Sequence, residues 1–511
     1  MIMKKNACLV NNVAISIMSS LWMIMKGRCY KKLCRVTCLG VSVLVLLGLA
    51  LQAEAVAVSF CPAAYFDAGR GPRSVALVDL NNDGKPDMVV ANSYDSSVTV
   101  RLGDGSGGFG SVTAYGLLGA EFPMTVVSAD LNGDGKADIV TANYISGDVS
   151  VLLGNGDGTL QDAVNISTTT FPAETSGPMS VAIDDVNNDG HKDLVVANYE
   201  GFTISVLIGD GSGGFGAPIN YFISFGPYDV AIADFNKDGN KDLVVLSGDQ
   251  SAVYILIGDG SGGFGSPASI PVGSHPKSLV VADLNSDSNP DIAVASFDDK
   301  KVYVIYGNGD GTFQSAVPYP VGAGPHDIVV RDLNGDGKPD IATADSSGYT
   351  ISVLLNNGLG AFGTAAFFPA GNLPLSLAIA DLNGDGKPDI VTANFDSDNV
   401  AVLLNTTPIS PEQKITATLE YFDTAVTSGE LRGTGPGNSA SGKLGALRNM
   451  IEQAGFLIRA DNVAGACQQL LDAYNRTDGR PKPSDFVQGS AAGKLAEKIL
   501  ELRSSLNCST T

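Results

Sequence analysis

One nine-residue pattern occurs seven times in this 511-residue chain, and each copy places oxygen-bearing side chains at positions 1, 3, 5 and 9. The seven sets are Asp79, Asn81, Asp83 and Asp87; Asp130, Asn132, Asp134 and Asp138; Asp185, Asn187, Asp189 and Asp193; Asp234, Asn236, Asp238 and Asp242; Asp283, Asn285, Asp287 and Asp291; Asp332, Asn334, Asp336 and Asp340; and Asp381, Asn383, Asp385 and Asp389. Alternate side chains on a tightly turning backbone converge on one point. A hard cation wants roughly six to eight oxygens there, and position 7 can add a backbone carbonyl. Gly at position 6 permits the sharp turn. Asn, Asp and Gly also make good turns without a metal, but three carboxylates brought so close repel one another unless a cation neutralises them. The expected cofactor is Ca2+, about one per loop and structural, because Mg2+ keeps its waters and a strict octahedron. No Glu stands at position 12, where the first loop has Val90, so the Asp at position 9 must complete the site. In the loop opening at Asp283, Ser288 replaces the turn Gly, and this site is expected to be the weakest. His191 falls at position 7 of its loop, where only the backbone is needed, and reads as a surface residue.

The elements that must hold these loops follow from their spacing. Successive copies are 51, 55, 49, 49, 49 and 49 residues apart, a period that suits four-stranded propeller blades. In the most regular unit, His326–Leu333 reads as an inner strand, Ile341–Ala344 as a second and Ile351–Leu355 as a third. A Gly-rich turn follows, and Phe362 opens the fourth. Equivalent Phe residues stand at 109, 215, 264 and 313, with Leu160 in one unit. The last unit ends at Leu404 without such a strand, whereas Phe60 lies in the same register ahead of Asp79. Phe60–Phe66 should therefore complete the last blade and remove an open edge. The expected fold is an all-β seven-bladed propeller followed by a small all-α helical bundle.

The Asp-x-Asn-x-Asp-Gly-x-x-Asp loops, with Gly-Asp-Gly-Ser-Gly-Gly-Phe-Gly turns such as Gly258–Gly265, resemble FG-GAP/VCBS repeats over roughly residues 56–405. That family includes the integrin α-subunit propeller and many bacterial surface proteins. The resemblance implies calcium sites that stiffen the blades and roles in adhesion or ligand binding, without implying one activity.

The net charge is −22, and the acidity sits in residues 56–411, which hold 42 acidic and 14 basic side chains. That balance excludes nucleic acid as a partner and favours cations. Ahead of it, Lys26, Arg28, Lys31, Lys32 and Arg35 precede an apolar run, Val36–Leu51, and Ala53-Glu54-Ala55 offers a small-x-small cleavage site. Residues 1–55 read as a signal peptide, with Met25 as an alternative start, and no transmembrane span is expected after cleavage. Of the later cysteines, Cys467 and Cys508 could pair in an oxidising compartment, or these and Cys61 could all remain thiols.

After a linker at 406–414, residues 415–508 show helical spacing at Ile415–Thr427, Lys443–Ile458, Val463–Tyr474 and Ala491–Leu506. Ser441 and Ser484 read as N-caps, and Gly429 and Gly479 as stops. The four-helix pattern resembles the FIMAH-type module of secreted bacterial proteins. On the propeller, strand alternation puts loops and Gly-rich turns at one end. The two insertions, Gly116–Pro123 and Ser167–Pro178, fall at the other, which becomes the expected binding face. Tyr94, Tyr144, Tyr199, Phe297, Tyr349 and Phe395 recur there, either to stack on a ligand or to cap the blades. Only three histidines occur, His191, His275 and His326, on different blades, and no catalytic motif appears, so no catalytic residue is assigned. The expected protein is a monomeric, secreted or cell-surface bacterial adhesion or ligand-binding propeller for an extracellular protein or glycan. The alternative is a polysaccharide lyase or other glycan-active enzyme on a calcium propeller scaffold, working through a residue such as Tyr199 or Lys300.

Overall fold

The computed structural model describes residues 57–511 apart from 170–175, 224, 409, 430, 435–437, 461, 478–486, 507 and 509–511. The leader assigned to residues 1–55, the candidate start Met25, Ser484 and Gly479 all lie outside the described residues, as does part of the second insertion.

Seven antiparallel four-stranded sheets follow one another along the chain. The innermost strands are Pro72–Val78, Pro123–Ala129, Pro178–Asp184, Pro227–Ala233, Pro276–Ala282, Pro325–Arg331 and Pro374–Ala380. Each second strand starts on the ninth loop residue, as in Asp87–Asn92, and all its positions are buried in every copy. These strands are apolar without alternation because sheets cover both their faces. One core cluster fills each of the seven junctions. Val75, Met88 and Val90 of the first blade, for example, pack with Val391, Val400 and Val402 of the last.

That last contact closes the ring. The seventh sheet takes its outer strand from Ala64–Asp67, paired with Asn399–Val402. Phe60 makes a bridge to Asn405 that matches the Phe109–Gly103 bridge of the first blade. The pairing runs on into the stretch read as linker, where Thr406 N–H donates to Ser59 O (2.8 Å) and Ser59 N–H to Thr407 Oγ1 (3.0 Å). The outer strands depart from the sequence reading. Phe362 sits in the turn, bridged to Asn356, and the strand begins at Ala366. The ring of Phe362 is drawn in against Tyr319 (5.2 Å between centroids), which a strand position facing solvent would forfeit.

The C-terminal helices are α1 (Pro411–Thr427), α2 (Asn438–Arg459), α3 (Val463–Tyr474) and α4 (Ala492–Ser505), around a core that includes Phe422, Leu447, Ile451, Leu470, Leu495 and Ile499. Helix α1 starts inside the expected linker. Helix α2 starts ahead of Ser441, so Ser441 is helical rather than a cap. Gly429 does end α1, at φ +78°, with Leu431 N–H returning to Ala425 O. Cys467 and Cys508 form a disulfide, tying α3 to the segment after α4. Among the described residues no helix is long and apolar enough to cross a membrane.

Candidate functional site

In the first loop the Asp79 carboxylate accepts the N–H groups of Asp83 (3.2 Å) and Gly84 (2.7 Å), while Asn81 Oδ1 accepts Asp83 N–H (3.0 Å). The same bonds recur in the other six copies. They wind the backbone so tightly that positions 4 and 6 both take left-handed φ. Position 6 was legible as Gly. Position 4, held by Asn82, Gly133, Asn188, Lys237, Ser286, Gly335 and Gly384, was not singled out. The fifth loop is strained at both, with Ser286 at +63° and Ser288 at +65°.

The position-9 carboxylates are fully buried. One oxygen of each accepts the N–H of loop position 2 and the other an N–H after the third strand, at 2.7–3.0 Å, as Asp87 does with Leu80 and Gly103. The residue thus clamps the loop to its blade, a role the sequence did not reveal. Burial pushes these carboxyl groups up, Asp291 and Asp389 to about 6 and Asp340 to about 7, and the charges at positions 1 and 5 push the same way.

The position-5 carboxylates are more exposed. Asp83, Asp134, Asp336 and Asp385 turn to the Lys at position 7, at 3.0–3.6 Å. Where that Lys is missing, Asn187, Asn236 and Asn285 donate to Asp189, Asp238 and Asp287 instead. Among the described residues no three His, Cys, Asp or Glu side chains are gathered into a ready-made metal cluster.

Six of the seven loops also serve a neighbour. The carbonyl at position 2 accepts a bond from the next blade's Gly-rich turn, for instance Gly158 N–H to Leu80 O and Gly107 N–H to Leu382 O (both 3.0 Å). In the last two blades Asn356 and Asn405 replace a Gly of that turn, and their amides donate to Leu284 O (2.7 Å) and Leu333 O (2.8 Å).

At the opposite end the innermost strands all carry the same irregularity. The ladder slips just after the leading Pro, leaving Arg73, Met124, Met179, Tyr228, Lys277, His326 and Leu375 as bulge residues. A bulge re-aims its side chain, and these seven line an axial cavity of about 300 Å³. One residue further on, a closed girdle of side-chain hydrogen bonds joins the blades. Ser74 accepts from Val126 N–H, Thr125 donates to Met179 O, Ser180 donates to Asp229 and Asp229 accepts from Leu279 N–H. Ser278 donates to Asp327, Asp327 accepts from Leu377 N–H and Ser376 accepts from Val75 N–H. Burial raises both girdle carboxyls, Asp229 to about 6.

Six overlapping stretches, residues 79–141, 130–196, 185–245, 234–294, 283–343 and 332–392, match the family described as FG-GAP-like repeat, and together they cover more than half the chain. The chain belongs to the FG-GAP-like repeat family. No curated protein matches it. Similar solved structures include BBS1N in complex with ARL6DN (15% identity, 68% of this chain and 98% of that one, TM-score 0.48) and an Agrocybe aegerita lectin recognising non-reducing terminal N-acetylglucosamine (20%, 68% and 98%, 0.44). A putative 6-phosphogluconolactonase from Bacteroides uniformis is a third (14%, 63% and 95%, 0.48).

In this FG-GAP-like propeller the aromatic candidates divide. Tyr144, Tyr199, Phe297 and Phe395 each lie over the glycine that precedes the next blade's innermost strand, Gly177, Gly226, Gly324 and Gly71. There they latch blade to blade. Two of them also reach the axial mouth: Tyr199 touches Tyr228, and the Phe297 ring lies 5.9 Å from Lys277 Nζ; Tyr94 touches Phe122 and Phe395. Tyr349 stands apart, half-exposed beside the third strand, with its carbonyl accepting Ala370 N–H. It is the last of the four turn residues between Asp345 and Thr350, at φ +57°, whereas Tyr144, Tyr199, Phe297 and Phe395 are the first of theirs and Tyr94 the second. The bulge ring was missed from sequence. Its signal was a Pro seven residues before every loop, followed by the position whose chemistry changes most from blade to blade.

Proposed function

We propose that this is an exported, calcium-binding propeller that holds an extracellular protein or glycan on the face away from the loops, without catalysis. The observation that carries the reading is the bulge ring. It presents six different residue types over seven positions at one mouth of a scaffold whose loops and second strands repeat closely from blade to blade. The loops fit calcium by their chemistry. Asp at 1 and 5, Asn at 3 and the carbonyl at 7 are all hard oxygen donors, and the like charges crowding position 9 favour a cation. The ion would lock the turn that the next blade grips, and so serves rigidity. The lyase alternative draws little support. Among the described residues no side chain pairs with Lys300, and Tyr199 is raised by burial and by the charge of Asp249, the wrong direction for a base.

A glycan and protein array, run with and without EDTA, tests the reading. Calcium-dependent capture without product is expected. Release of unsaturated sugar ends would replace it with the lyase.

A further inference from the structure

The bulge ring has a composition of its own. In a strongly acidic propeller, two of its seven members are cations, Arg73 on the first blade and Lys277 on the fifth. Both line the axial cavity, and among the described residues neither makes an ion pair with a carboxylate. Lys277 Nζ lies 3.2 Å from the Tyr228 hydroxyl and 4.3 Å from its ring centroid. Burial holds the Arg73 guanidinium below its usual value, and the neighbouring Tyr228 opposes that lowering. Both cations thus face the same tyrosine. Withdrawing cations from water is unfavourable, and an anion seated between them offsets that cost.

The rest of the cavity describes the remainder of the ligand. His326 Nδ1 lies 2.9 Å from Leu375 O, and a carbonyl only accepts, so Nδ1 carries the hydrogen and Nε2 is left as an acceptor. Burial and the nearby charges of Arg73 and Lys277 hold His326 down to about 3, so it stays neutral. In the girdle below, Asp229 and Asp327 add carboxylate acceptors, each already steadied by backbone N–H groups. Met124, Met179 and Leu375 supply apolar walls, and the aromatics Tyr94, Phe122 and Phe297 rim the mouth. The site thus offers donors for one carboxylate, acceptors for adjacent hydroxyls and apolar faces for C–H surfaces. An aspartate or glutamate side chain has no hydroxyls to give those acceptors.

We propose that the axial mouth binds a uronic acid residue of a glycan, with Arg73 and Lys277 holding its carboxylate and His326 Nε2 accepting from a neighbouring hydroxyl. This rests on the reading that the far face is the binding face.

The test is calorimetric titration of the full chain with glucuronate- and galacturonate-terminated oligosaccharides, their glucose and galactose counterparts, and an Asp/Glu-bearing peptide. Met already occupies the equivalent position in two blades, so Arg73→Met and Lys277→Met should leave the melting temperature unchanged. The uronate series is expected to bind, the neutral series at least about tenfold more weakly, and either substitution to cost about tenfold. Equal binding of acidic and neutral sugars, or uronate binding that survives both substitutions, overturns the inference and leaves far-face binding intact. Preference for the peptide overturns the sugar assignment. Binding of neither sugar series overturns the inference too, and the array then decides whether the wider reading stands.

Discussion

At Ser288 the backbone sits at φ +65° in a turn where five other loops carry Gly between +78° and +87° and a sixth at +89°. A side chain there costs about 1 kcal/mol. Ser288→Gly should therefore raise the unfolding free energy by about that much, read as a higher urea midpoint, and an unchanged midpoint would contradict the assigned strain. Asp345 is a second exceptional residue. It ends its second strand where four other blades have Asn and two have Ser. Fully buried, it accepts from the hydroxyls of Thr343, Thr350 and Ser352, and burial raises it to about 6. A carboxyl whose folded value lies above its unfolded one contributes fully below about pH 4 and loses that contribution as pH rises through about 6. Asp345→Asn should accordingly match the parent near pH 4 and exceed it at pH 8, by up to about 3 kcal/mol. Thermal melts across that range check the sign. Equal stability at both ends would mean that Asp345 ionises without penalty.

Among elements, the strand Ala64–Asp67 carries more than its length suggests. It closes the seventh sheet, and its absence would expose the edge of Asn399–Leu403. Removing residues 57–67 should lower the melting temperature and produce concentration-dependent association, readable by light scattering. A monomer of unchanged stability would contradict the closure. In the helical module, the Cys467–Cys508 bridge spans 41 residues. A loop of that length contributes up to about 4 kcal/mol. Cys467→Ser should weaken the helical circular dichroism transition accordingly while leaving the propeller transition in place. The Gly429 stop was readable from its residue type. The start of α2 ahead of Ser441 was not, because local caps yield to packing around Leu447 and Ile451.

For the whole molecule, seven loops that clamp their own blades and six observed bonds onto a neighbouring blade make the ring one mechanical unit. An ion bound only by the folded loops stabilises by about 2.7 kcal/mol per site at a hundredfold excess over its Kd. EDTA should therefore lower the melting temperature, and Ca2+ should restore it better than Mg2+. A melt indifferent to both would remove calcium from the proposed function. By itself the sequence determined the repeat, the number of blades, the closing strand and the oxygen-bearing side chains of each loop, because turn chemistry and period are local properties. Tertiary structure alone decided the double clamp of the position-9 Asp, the girdle around the axis and the ring that gathers Arg73, Tyr228, Lys277 and His326. Those residues are about 50 to 250 positions apart in sequence, and no local pattern relates them. Only closing the ring brings the bulges of its innermost strands to one mouth.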